Sequence, residues 1–230
     1  MSGRPLCIVS WNIRKAVGLD WRRDPARVLR VLSSMKPDII LLQEADKRLS
    51  PRHPALPLDQ VARAGWTALN ADPRTPSIGH HGNAILLRSD FIATRIEPVD
   101  LPGLEPRGAL LARIQGSFGA VTVGGLHLGL RHADRRRQIA NVIEAAERIG
   151  GRIVLGGDLN EWRRSDEAFG LPDGWRTLAP SATFHAARPT LRFDRFLIGP
   201  GNGDPVADVP HKGESLRASD HLPIRLLVDT

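Results

Sequence analysis

The stretch Arg152 to Trp162, RIVLGGDLNEW, constrains the fold of this chain more than any other. Ile153, Val154 and Leu155 form an unbroken apolar run, the pattern of a strand covered on both faces. The run ends in Gly156 and Gly157, which predict a turn free of Cβ atoms, so that Asp158 and Asn160 project together from the strand end. An anionic oxygen beside a neutral amide suits a phosphate and a hard divalent ion. The same GDLN also reads as an Asx turn that only closes a strand, and this stretch alone leaves both readings open.

Other segments repeat the pattern of an apolar strand with a polar end. Leu6 to Trp11 predicts a buried strand followed by Asn12, Ile13 and Arg14, and Asp38 to Glu44 predicts a second one ending in Gln43 and Glu44. Between them, Asp24 and Pro25 form an N-cap and first turn for a helix with Val28, Val31, Leu32 and Met35 on one face, stopping near Lys36 before Pro37. Asp59 to Ala64 predicts a short helix, and Lys47 to Pro57 and Ala71 to Gly82 predict loops, the second carrying His80 and His81 without an assigned role. Asn83 to Leu87 reads as a strand with Phe91 to Pro98 as its hairpin partner. Ala109 to Ile114 and Ala120 to Leu128 read as a further hairpin with His127 near its end. Ala133 to Ile149 is the strongest helix, with Ile139, Val142, Ile143, Ala146 and Ile149 at helical spacing and Gly150 as its stop. Glu161 to Ala187 predicts a surface wrap, Phe193 to Ile198 a strand carrying Asp194, and Gly199 to Leu216 a long polar loop. Ser219, Asp220 and His221 then precede a closing strand, Leu222 to Val228. Helices interleave with strands, yet hairpins occur as well. The expected fold is therefore an α/β four-layer sandwich, residues 1–230 as one domain, in which two mixed sheets face each other, helices cover the outer faces and the polar strand ends share one edge.

Composition narrows the partners. A hydrophobic content of 41% and a charged content of 25% exclude a disordered chain. No apolar run approaches the roughly 20 residues that span a bilayer, and no signal-peptide core precedes the first strand, so a cytoplasmic protein without stable membrane insertion is expected. The single Cys7 forms no internal disulfide and reads as a small core residue. A net charge of +7, carried almost wholly by Arg with Lys only at 15, 36, 47 and 212, favours a polyanion such as nucleic acid or an acidic membrane surface. No protein partner is inferable, and a monomer is expected.

Asn12, Glu44, His127, Asp158 with Asn160, and Asp220 with His221 together supply three carboxylates, two amides and two imidazoles, a set suited to metal-assisted phosphoester hydrolysis. Their motifs, SWNIR, LLQE, LHL, GGDLN and SDHLPI, resemble in order those of the endonuclease/exonuclease/phosphatase superfamily, across residues 6 to 228. The NIR of Asn12 to Arg14, the EPRGAL around Arg107 and the FDRFLI around Asp194 look closest to the deoxyribonuclease I branch. Abasic-site endonucleases of that superfamily carry Asp where this chain has Arg14, and a phosphate-contacting Tyr, a residue this chain lacks. Pancreatic-type deoxyribonucleases pair the equivalent of His127 with a carboxylate on the strand near Asn83, where no acid stands here.

The resemblance implies Mg²⁺, with Mn²⁺ as a substitute, held chiefly by Glu44 with Asn12 and Asp220 completing the shell. It implies that Asp158 and Asn160 orient the attacking water and the scissile phosphate, and that Arg107, His127 and Asn160 bind phosphate oxygens. His221, oriented by Asp194, would activate water or stabilise the transition state. The implied activity is a phosphodiesterase, foremost a nuclease on DNA or RNA leaving 3′-hydroxyl and 5′-phosphate ends. Relatives with the same core hydrolyse sphingomyelin, inositol phosphates or other small phosphoesters, and a non-catalytic nucleic-acid-binding protein is the reading from another class. Arg22, Arg23, Arg131, Arg135, Arg136 and Arg163 adjoin the motif residues and predict a track for a nucleic-acid backbone.

Overall fold

Alternation along β1, Leu6–Asn12, sets the layering. Leu6 and Ile8 enter one apolar cluster while Cys7, Val9 and Trp11 enter another, so both faces of the strand are covered. The computed structural model describes residues 4–47, 52–163, 168–210 and 213–229. Among these, one six-stranded sheet runs in the order β11 (Val206–Asp208), β12 (Ile224–Val228), β1, β2 (Ile39–Gln43), β4 (Ala84–Arg88), β3 (Trp66–Ala68). The second runs β5 (Ile92–Leu101), β6 (Arg107–Gly116), β7 (Gly119–His127), β8 (Arg152–Asp158), β10 (Asp194–Ile198), β9 (Arg176–Leu178).

Each sheet is antiparallel except for one central parallel pair, β1 with β2 and β7 with β8. Parallel neighbours need a crossover. Helix α1, Pro25–Met35, supplies the first and α3, His132–Ile149, the second. Asp24 caps α1 by accepting from the Arg27 amide at 2.9 Å, and Lys36, with φ of 50°, ends it in the left-handed region. Val28, Val31 and Leu32 of α1 pack on one outer face, joined by Val61 of α2, Leu58–Arg63; Ile139, Val142 and Ile143 of α3 pack on the other. Leu41, Ile85, Leu110, Val123, Val154 and Phe196 meet between the sheets. The result is a four-layer α/β sandwich with two mixed sheets inside.

Several details differ from the sequence reading. The strand 84–88 and the strand 92–101 do not form a hairpin: β4 is bonded by β2 and β3 on its two edges, while β5 leaves for the other sheet and pairs with β6. The AILL of β4 is buried along its length, whereas β5 is largely exposed and so takes an edge position. Phe91, at the turn between them, drops into the core between the sheets. The segment 161–187 is more than a surface wrap, since it buries Phe169 and Trp175 and contributes β9. The segment 199–216 holds β11 and the start of a short helix, α4, Ser215–Ala218.

The glycines of GGD serve a different purpose from the one expected. Both lie inside β8, paired in register with Gly125 and Leu126 of β7, and the chain turns only after Asp158. A Cβ at 157 would stand 1.9 Å from the Leu126 carbonyl oxygen, and one at 156 would stand 2.8 Å from the Phe196 ring. Close backbone approach requires them. Gly157→Ala, which meets backbone, is expected to abolish soluble folding or to lower the thermal unfolding midpoint far more than Gly156→Ala, which meets a side chain; equal small losses would contradict this. Cys7 gives an independent check of the core. Burial, then the nearby Asp38 carboxylate, pushes its thiol up to about 11, so a thiol reagent at pH 8 is expected to leave the native protein unlabelled and to label it fully in denaturant.

Candidate active site

The strand register brings the polar ends together. Asn12 faces Gln43 across β1 and β2, His127 faces Asp158 across β7 and β8, and Asp194 faces Asp158 across β10 and β8. Between the sheets, Asn12 Nδ2 donates to Asp158 Oδ2 at 3.0 Å. The Asn160 amide donates to Asp158 Oδ1 at 3.1 Å, closing an Asx turn in which Asn160 has φ of 50°. Asn160 Nδ2 in turn donates to the Leu128 carbonyl at 2.9 Å. The Asx-turn reading of GDLN and the site reading are therefore one geometry.

Two imidazoles approach the same Asp158 oxygen, His127 Nε2 at 3.5 Å and His221 Nε2 at 3.6 Å. His221 Nδ1 meets Asp194 Oδ2 at 2.9 Å, and Thr183 Oγ1 donates to that oxygen at 2.5 Å. The indole of Trp11 fixes the backbone here by donating to the His221 carbonyl at 2.8 Å. Asp158, Asp194, His127 and His221 are all buried. Burial pushes His127 down to about 4, with Asp158 opposing and Arg107 assisting, so it is neutral at neutral pH. His221 behaves oppositely. Burial would lower it too, but the Asp194 and Asp158 carboxylates raise it to about 10 and keep the ring charged. Burial alone would raise Asp158, yet His221, His127 and the Asn12 bond together hold it below the usual carboxylate range.

Glu44 sits just past β2 with φ of 51°, and its carboxylate forms an ion pair with the Lys15 ammonium. Ile13 N donates to Gln43 O at 3.1 Å and Lys15 N to Glu44 O at 3.0 Å, which ties the two strand ends beyond the sheet. Asp220 is paired with Arg14, Nε to Oδ2 at 3.5 Å, while Asn12 Oδ1 accepts from the Arg14 amide at 3.1 Å. Glu44, Glu105, Arg107, His127, Lys15 and Arg52 line a cavity of about 410 Å³, and Asp158 lies behind His127, 3.5 Å from its Nε2. Two carboxylates and an amide, all hard oxygen donors, stand at Glu44, Asp220 and Asn12, and a cation already matches Glu44. That chemistry fits a divalent ion such as Mg²⁺.

Lys15, Thr183 and Glu105 escaped the sequence reading. Lys15 lies three residues after Asn12 and could have been suspected from the motif loop, whereas Thr183 sits in an irregular segment that carries no periodic signal. Glu105 begins EPRGAL, and its Oε2 is buried without a hydrogen-bond partner among the described residues. His80 and His81 meet one oxygen of Asp100 at 2.8 and 3.2 Å. Arg52 Nη1 lies 3.3 Å from His81 Nδ1 and can only donate, which leaves the His81 proton on Nε2 facing Asp100. The three groups form a hydrogen-bonded brace at the cleft rim.

Of the six arginines expected to track a nucleic acid, Arg22, Arg23, Arg131, Arg136 and Arg163 are exposed. Arg135 is not available. It is buried against Glu161, Nη2 to Oε2 at 2.7 Å, and also donates to the Leu130 carbonyl. Removing one partner of a buried pair strands the other charge and costs roughly 3–5 kcal/mol, while replacing both with apolar residues costs far less. Arg135→Leu is expected to lose stability of that order, and Arg135→Leu with Glu161→Leu to recover part of it in urea unfolding. A double variant showing the sum of the two single losses would reject the pairing.

Comparison with known proteins places this geometry. Residues 9–221 match the Endonuclease/Exonuclease/phosphatase family. The Uncharacterized protein YbhP of Escherichia coli (strain K12) is 32% identical over 161 residues, 64% of this chain and 62% of YbhP, so the chain spans less than two thirds of that relative's length. Among solved structures, truncated Caenorhabditis elegans TDP2 superposes with a TM-score of 0.73 at 20% identity, covering 98% of this chain and 97% of that one. D. rerio TDP2 complexed with single strand DNA product superposes at 0.70 and 21% identity, covering 98% and 99%. At such identities these structures share the fold. With residues 9–221 of its 230 matched, the chain belongs to the Endonuclease/Exonuclease/phosphatase family.

Proposed function

We propose that the chain is a Mg²⁺-dependent phosphodiesterase that hydrolyses nucleic-acid backbones. The observation that supports this best is the ionised, buried Asp158 between a neutral His127 and a charged His221, with Asp194 behind. Such a group of acceptor and donor suits in-line attack of water on phosphorus. Asp158 would orient the water and take its proton as the water oxygen bonds to phosphorus. The bond from phosphorus to the 3′ oxygen breaks, leaving a 3′-hydroxyl, protonated from solvent, and a 5′-phosphate. The His221 imidazolium would donate to a non-bridging oxygen as negative charge grows, and Asp194, with Thr183, would hold that ring by its other nitrogen. Asn160 keeps one amide hydrogen beyond its bond to Leu128, and Arg107 and neutral His127 line the cavity where a phosphate oxygen would sit.

Glu44, Asn12 and Asp220 would hold Mg²⁺, or Mn²⁺ in its place, and the ion supplies Lewis-acid stabilisation of the phosphoryl oxygens. Nucleic acid is favoured by the net charge of +7 and by the five exposed arginines near the motif residues, and the D. rerio relative's single-stranded DNA product agrees. The test is a panel of plasmid, single-stranded DNA, RNA, sphingomyelin and inositol phosphates assayed with Mg²⁺, Mn²⁺ or EDTA. Nucleic acid should be cleaved, EDTA should abolish cleavage, and Asp158→Asn and His221→Ala should each lower the rate by about 10²–10⁴-fold without loss of fold. Duplex binding should weaken with salt at a log–log slope of about −0.9 per neutralised phosphate. Activity that survives EDTA, or that is confined to sphingomyelin or inositol phosphates, would overturn the reading.

A further inference from the structure

The five tryptophans divide sharply. Trp11, Trp66 and Trp175 are buried, whereas Trp21 and Trp162 are 78% and 57% exposed. An exposed apolar residue is ordinary when isolated. These two share a construction that isolated ones lack. Each sits on a loop leaving a central strand, Trp21 after β1 of one sheet and Trp162 after β8 of the other, two residues beyond Asn160. Each carries a guanidinium over one ring face, Arg14 at 4.5 Å from the Trp21 centroid and Arg135 at 5.6 Å from that of Trp162. Each guanidinium is itself fixed by an acid, Arg14 by Asp220 at 3.5 Å and Arg135 by Glu161 at 2.7 Å.

The consequence is a pair of indoles held from behind with their other faces open. Ordering a side chain before binding reduces what binding must spend on it. Trp21 is also kept at φ of 60°, a backbone region that a bulky residue avoids unless its surroundings impose it. The partner of an open indole face beside cations is a flat π-system attached to an anionic backbone, and exposed Arg22 and Arg23 adjoin Trp21 as exposed Arg163 adjoins Trp162. A duplex keeps its bases stacked on one another. Unpaired bases are free to stack on protein.

We propose that Trp21 and Trp162 are stacking platforms for unpaired bases, one on the loop beyond β1 and one on the loop beyond β8, so that the chain favours single-stranded over duplex nucleic acid. This rests on the nuclease reading above and names its substrate form. The experiment compares a short oligothymidylate with an abasic oligonucleotide of equal length, so that backbone charge is constant and only the bases differ. Binding is read in EDTA by fluorescence anisotropy, and cleavage separately with Mg²⁺. Wild type should bind the oligothymidylate more tightly. Trp21→Ala and Trp162→Ala should each weaken that binding by roughly 5- to 150-fold, the loss expected for one base–aromatic stack, with binding and cleavage of the abasic strand unchanged. Thermal midpoints equal to wild type would show that the fold is intact.

Wild type indifferent to the presence of bases, or variants that keep the preference, would overturn the proposal. So would variants that retain oligothymidylate binding but lose binding to phosphatidylglycerol vesicles, since the tryptophans would then be interfacial anchors. If wild type cleaves neither strand with Mg²⁺, the nuclease reading fails, while the binding comparison in EDTA still decides the platforms by itself.

Discussion

One buried carboxylate draws its partners from both halves of the sandwich. Asp158, at the end of β8, accepts from Asn12 of the other sheet and faces one imidazole from β7 and another from the segment before β12. An ionised carboxylate out of water costs several kcal/mol unless charges and donors compensate it, and here the compensation comes from both sheets. Ionisation of Asp158 thus depends on the sheets being docked. Facing sheets lie about 10 Å apart, and the Asn12 and Asp158 side chains together span that gap, meeting at 3.0 Å. Glycines line the interface beside them. Gly125 and Gly156 lie opposite each other in β7 and β8, and both border Leu41 of the facing sheet.

The same edge concentrates backbone strain. Among the described residues, the non-glycine positions with positive φ are Arg14, Lys15, Ala16, Trp21, Lys36, Glu44, His81 and Asn160. Lys36 closes α1, Lys15, Glu44 and His81 line the cleft, and Arg14, Ala16, Trp21 and Asn160 lie on the segments that follow β1 and β8. Left-handed backbone costs L-residues roughly 1–2 kcal/mol each, so neighbouring interactions must impose it. They are visible: Lys15 N is bonded to Glu44 O, Ala45 N to Gly82 O at 2.8 Å, and His80 to Asn83 in both directions. Loops that bond one another in this way fix the backbone on both sides of Glu44.

How much of this was legible follows from how local each signal is. The apolar runs of β1, β2, β7, β8 and β10 announce covered strands because helices and a facing sheet bury both sides of them, and the Asp24–Pro25 cap announces α1 because capping needs only the next three residues. The polar strand ends were equally readable, since an acid closing an apolar run stands out without any partner in view. What failed was non-local. Nothing near residues 84–101 says that β4 already has two neighbours, so a short turn looks like a hairpin. The three-residue strands β3, β9 and β11 are defined by partners far along the chain. Arg135 resembled any surface arginine until Glu161, 26 residues away, was seen to bury it. The glycines of GGD predict a turn because the backbone they make room for belongs to another strand.

Charge completes the division of labour. Around the strand ends, positive and negative groups are matched: Lys15 with Glu44, Arg14 with Asp220, Arg135 with Glu161 and His221 with Asp194. Beyond these pairs, positive charge stands on exposed arginines such as Arg22, Arg23, Arg131, Arg136 and Arg163. Exposed charges act over about 8–10 Å at ordinary ionic strength and weaken as salt rises, whereas buried pairs are screened far less. The exposed basic residues and the matched groups at the strand ends are thus separate sets. The first set is readable in composition and could serve any acidic partner. The second is readable only where strands from both sheets converge on Asp158, because its members lie far apart in the chain and meet only through the pairing of β8 with β7 and β10 and the bond from Asn12.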